Sequence, residues 1–163
     1  MRVYLPATLP LLARLSKDGE LVLTDGFAVT ESLRAWYAEG DDEELEYAAL
    51  TAAARASLRQ LAAEPDAPRR RVVIASDLPD ARVAVPAAAS AEEPGVIRIT
   101  GSVRLVDLAA LHVDEEGARE PVTAAACALA AADEGDAAAL LAVDALEDHD
   151  LLWYGPQELG DLL

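Results

Sequence analysis

The sequence predicts an α/β or α+β fold with four to five strands, at least partly parallel, and helices packed on the sheet. Two observations predict it. Short β-branched or continuously apolar runs alternate with stretches of helical spacing along the chain. A strand that feeds a crossover helix and then another strand favours a parallel, right-handed arrangement. The 163 residues, 53% of them hydrophobic, are enough for one domain with its own core, expected over 1–163.

Arg2–Leu5 is a β-branched and aromatic run that Pro6 stops. Thr8 is placed to cap a helix over Leu9–Ser16, with Pro10 in its first turn and Asp18-Gly19 closing it. Leu21–Leu23 and Phe27–Val29 are short apolar pieces around the turn signal Asp25-Gly26. Thr30 caps Glu31–Tyr37, which Gly40 ends. The strongest helix is Asp42–Ala63. Asp41 with Glu44 three residues later makes a capping-box start, and Leu50, Ala54, Leu58 and Leu61 follow the spacing of one face.

Pro65 to Pro68 is a linker. Arg71–Ala75 is continuously apolar after its arginine, as expected of a strand covered on both faces. The proline- and alanine-rich stretch 78–95 reads as a long mobile loop. Val96–Thr100 alternates apolar and polar residues, and Leu108–Val113 is a second buried-strand candidate. Helices are expected over Glu120–Ala132 and over Asp136–Leu146, the latter capped by Asp136. Leu151–Tyr154 is a last strand before Gly155-Pro156 and a short turn over Gln157–Leu163.

Charge narrows the function. Lys and Arg total 13 against 30 Asp and Glu, a formal charge of −17. That lacks the cationic footprint of a nucleic-acid binder, and it disfavours an anionic membrane surface. No apolar run approaches the roughly 20 residues of a membrane span, and the start MRVYLPATLPLLARL lacks signal-peptide order. With the single Cys127, which forms no internal disulfide, the expected location is cytoplasmic.

The chemical motifs are few. G-x-x-x-x-G-K-[ST], G-x-G-x-x-G and G-x-S-x-G are all missing, so no catalytic residue is assigned. Cys127, inside an alanine-rich helix, reads as a small core residue. Metal binding is the one chemistry that the inventory allows. In a parallel sheet the strand exits gather at one edge, where Asp77, Asp114 and Glu115 could hold a divalent cation through oxygen. His112, two residues before Asp114, shares its strand face, and Thr8 or Gln157 would add polar contacts. Against this, Asp and Glu cap helices and form turns routinely. His149 between Asp148 and Asp150 reads as a histidine held by neighbouring carboxylates. Trp36-Tyr37 and Trp153-Tyr154 read first as core anchors, and otherwise as a contact patch, since Trp and Tyr are enriched in binding hot spots.

The segments RVYLPATLPLL, FAVT, DDEELEYAALTAAARASLRQL, LHVDE and EDHDLLWYGPQEL together resemble an uncharacterised family of actinobacterial proteins of about this length, a domain of unknown function. The resemblance spans nearly the whole chain, is most specific at EDHDLLWYGPQEL, and implies no catalytic residue. The function expected is a non-enzymatic acidic protein-interaction or regulatory module of unknown partner, with a homodimer among the options and no required cofactor. The alternative is a small metal- or ligand-binding enzyme using the carboxylates at the strand ends.

Overall fold

The computed structural model describes residues 1–87 and 93–163. Its strands are β1 (Arg2–Ala7), β2 (Glu20–Val22), β3 (Asp25–Phe27), β4 (Val72–Asp77), β5 (Val83–Ala84), β6 (Val96–Ile99), β7 (Ser102–Arg104), β8 (Leu108–Asp114) and β9 (Leu151–Tyr154). Its helices are α1 (Leu9–Asp18), α2 (Glu31–Trp36), α3 (Asp42–Ala63), α4 (Arg119–Asp133) and α5 (Ala137–Asp144). Seven strands form one sheet in the order β5-β6-β3-β1-β4-β8-β9, and β2 pairs with β7 in a separate ribbon.

Every strand pair among the described residues is antiparallel, so the fold is α+β and the expected parallel strands do not occur. The registers show why. The chain leaves β1 at Ala7 and enters β4 at Val72, directly opposite. It leaves β8 at Asp114 and enters β9 opposite that same residue, at Leu151. Between them α4 and α5 run out and back as a helical hairpin. One crossover helix would deliver the chain to the far edge and a parallel strand; a helix pair returns it to the edge it left.

The expectation of four to five strands also fails, because β2, β3, β5 and β7 are only two or three residues long. Such pieces are too short to carry a readable alternation. β5 and a 3₁₀ turn at Asp80–Arg82 lie inside the stretch expected to be a loop, whose residues 88–92 lie outside the described residues.

Pro6 does not stop β1, which continues to Ala7 between two neighbours. Pairing with β3 ends at Tyr4↔Phe27, and the Pro6 carbonyl accepts from Gln60 Nε2 at 3.3 Å instead of from a strand. Its missing N–H therefore falls where no partner strand remains. Thr8 occupies the N-cap of α1, but its hydroxyl makes no cap bond and is buried without a partner. Asp41 and Glu44 form both bonds of the capping box on α3, while Thr30 and Asp136 cap α2 and α5 as expected.

The two faces of the sheet carry different cores. Val3, Leu5, Ile74, Leu111 and Val113 face α1, the β2–β7 ribbon and Leu159 of the C-terminal 3₁₀ turn. Tyr4, Phe27, Val73, Ala75 and Ala110 face the N-terminal half of α3 through Leu45, Ala49 and Ala53. The C-terminal half of α3 packs Leu58 and Leu61 against α4 and α5 in a third cluster built largely of alanine. At 22 residues, α3 is about 33 Å long and bridges the second and third clusters.

Candidate functional site

Between α3 and the β8–β9 pair, the second face of the sheet is left open as a groove. It encloses about 1190 Å³. One wall is the first half of α3, with Glu43, Glu44, Tyr47 and Leu50. The other is the β8–β9 pair, with His112, Leu151 and Trp153, and the segment from Leu146 to Asp150 closes one end with Tyr37 and Asp41 nearby. Strand alternation puts His112 and Trp153 on this face, and register makes them direct cross-strand neighbours.

The floor is an ion pair. Arg71 donates from Nε to Asp114 Oδ2 and from Nη2 to Asp114 Oδ1, both at 2.8 Å, and its backbone N–H donates to Oδ2 at 2.8 Å. Nη2 also donates to the His149 carbonyl at 2.9 Å, which ties the Leu146–Asp150 segment to the sheet. Asp114 is completely buried. Three donors and full burial make it a structural anion, whose oxygens are spent on Arg71.

Asp77 lies at the other end of the sheet. It accepts from Arg2 Nε at 2.7 Å and Nη2 at 3.1 Å on the surface. The hydrogen bond from Arg2 holds its carboxyl below the ordinary carboxylate range, against the opposing effect of burial. Because β4 and β8 are antiparallel, the exits that would have gathered Asp77 and Asp114 at one edge are at opposite edges, a strand length or about 17 Å apart. Glu115 is exposed just beyond Asp114 and begins a 3₁₀ turn. Thr8 is buried beside Ala7, and Gln157 stands in the C-terminal turn. Among the described residues no group of three His, Cys, Asp or Glu side chains is placed to hold a metal ion.

The structure does bring together His112, Tyr37 and Trp153, three of the residues singled out from sequence. Burial, and secondarily the charge of Arg2, lowers the His112 pKa below its ordinary value. The aromatic residues are not the expected core anchors: Trp36 is 65% exposed, Tyr37 46% and Trp153 62%. Tyr154 alone of the four packs against a core cluster, on the opposite face of the strand. Tyr47, which the sequence reading passed over, is 56% exposed, and its hydroxyl reaches Asp150 Oδ1 at a long 3.5 Å. It stands three residues before Leu50, a spacing that could have put it on the same side of α3.

The groove is therefore aromatic inside and acidic around. Asp41, Glu43, Glu44, Glu147 and Asp150 line it, while its one arginine is neutralised by Asp114. Aromatic faces with adjacent carboxylates attract cationic side chains, through the ring quadrupole and through ion pairing together. A smaller hollow of about 550 Å³ near the end of α3 includes Arg69, Arg119 and Cys127. Cys127 is exposed, contrary to its reading as a core residue. Arg69 is occupied there by the carbonyls of Leu61, Glu64 and Ala67, closing the helix end.

No helix of the described residues is long and apolar enough to cross a membrane. Neither the curated proteins nor the solved structures contain a match to the chain. Over residues 1–163 the sequence matches the family of unknown function DUF6912, in line with the resemblance carried by its segments, and the chain belongs to that family.

Proposed function

We propose that this protein is a non-enzymatic interaction module that receives a Lys- or Arg-bearing segment of a protein partner in the groove between α3 and β9. One observation carries the reading: three aromatic side chains, Tyr37, Tyr47 and Trp153, stand solvent-exposed in a concavity lined by five carboxylates. An exposed tryptophan leaves apolar area uncovered that a partner would bury, and Trp and Tyr lead the residue types that dominate binding energy. The formal charge of −17 adds long-range attraction for a cationic partner and repels acidic ones.

Titration with an arginine-rich peptide, read by isothermal titration calorimetry, tests the proposal. Binding is expected, and Trp153→Ala should weaken it by about tenfold or more, the scale of a modest hot spot. A peptide of the same length rich in glutamate should not bind. Equal binding by wild type and Trp153→Ala, or no binding by wild type, would refute the groove as the contact face.

A further inference from the structure

Resting on that reading, we propose that the partner segment binds in extended form, as an additional antiparallel strand on the open edge of β9. β9 is the last strand of the seven-stranded sheet and, among the described residues, pairs with β8 alone. The direction of its backbone groups follows from its neighbour. The Asp114 N–H donates to the Arg71 carbonyl at 3.1 Å, so the backbone groups of Asp114 face β4. Alternation turns those of Val113 and Leu111 toward β9, where they meet Leu152 and Tyr154. The N–H and C=O groups of Leu151 and Trp153 are left facing outward, and no hydrogen bond among the described residues uses them.

Among the described residues nothing along this edge blocks pairing. Its four residues include no Pro and no Lys, and the register with β8 runs without a bulge, whereas edges that avoid partners commonly carry such features. Leu151 and Trp153 also direct their side chains to the groove. A strand laid beside β9 would place every second side chain over Trp153 and close to Glu147 and Asp150. The intervening side chains would lie on the other face, beside the exposed Leu152. The segment that fits is thus extended and alternates basic with apolar residues. A second copy of the chain fits poorly, because pairing β9 with β9 sets two chains of formal charge −17 edge to edge.

The test uses the whole protein and an eight-residue peptide alternating Arg and Val, blocked at both ends. In the proposed register the arginine amides face β9 and the valine amides face solvent. N-methylation of the arginine amides should weaken binding by about tenfold or more, the loss of about two hydrogen bonds. N-methylation of the valine amides should leave it within about twofold. Amide exchange read by NMR should slow at Leu151 and Trp153 on binding, with Leu152 and Tyr154 already protected in the free protein. Equal binding of both methylated peptides, without protection at Leu151 and Trp153, would overturn strand addition and leave the groove reading standing. No binding of the unmethylated peptide would overturn both. A free protein that sediments as a dimer with Leu151 and Trp153 already protected would assign the edge to a second copy and overturn the proposal.

Discussion

Arg71 and Asp114 face each other in a place where neither can be left alone. A buried guanidinium or carboxylate without its counter-ion is costly, whereas the pair with all its hydrogen bonds near-balanced is tolerated. Asp114→Asn should therefore lower the unfolding free energy by about 3–5 kcal/mol in urea titrations. Asp77→Asn breaks a pair of the same type on the surface, where water screens both charges, and should cost no more than about 1 kcal/mol. Equal losses for the two would contradict the burial that separates them.

Two other groups tie stability to pH. His112 has its pKa lowered by burial and then by the charge of Arg2, so protonation favours the unfolded chain. Its contribution is complete above the ordinary imidazole value of 6.5 and is lost as pH falls through the lower folded value. The urea midpoint should decline on that acid side, and His112→Gln should flatten part of the decline. Burial pushes the Tyr4 hydroxyl up to about 12, with the carboxylate of Glu46 adding to it. Its contribution is complete below the ordinary value of 10 and is lost as pH rises through about 12, which Tyr4→Phe should abolish.

Among the elements, α3 and the β1–β3 contact depend on single positions. The capping box satisfies two amides at the start of α3, and Asp41→Ala should cost about 1 kcal/mol by thermal or urea melting. Gly26 of β3 lies tight against β1. A Cβ there would lie 2.6 Å from Leu5 Cδ2 and 3.1 Å from the Tyr4 carbonyl, so Gly26→Ala should destabilise by about 1–3 kcal/mol. The helix ends and the long strands were readable because their signals are local: a cap residue, a glycine in the left-handed region at Gly19, a continuous apolar run. The short strands β2, β3, β5 and β7 were not, since they exist through partners distant in sequence and not through any pattern of their own.

For the molecule as a whole, the charge of −17 acts in two directions at once. Within the folded chain it is self-repulsive, so salt should stabilise; toward a cationic partner it is attractive, so salt should weaken binding. Raising ionic strength from about 0.01 M to about 0.15 M shortens the screening length from about 30 Å to about 8 Å. Across that range the melting temperature should rise while affinity for the arginine peptide falls. A shift of both in the same direction would mean that the acidic surface does not govern the two effects.

By itself the sequence determined the acidic surface, the two long buried strands, the helices and the caps of α2, α3 and α5, and membership of a family, because each of these rests on residues close together in the chain. His112 and Asp114 were also correctly put on one strand face by alternation alone. Only the tertiary structure decided strand direction, since that depends on whether each excursion crosses the sheet or returns to its own edge. That decision separated Asp77 from Asp114, locked Asp114 to Arg71, and gathered Tyr37, Tyr47, His112 and Trp153 from four elements and connections into one groove. Burial and proximity between distant segments are properties of the packed chain, and no local pattern encodes them.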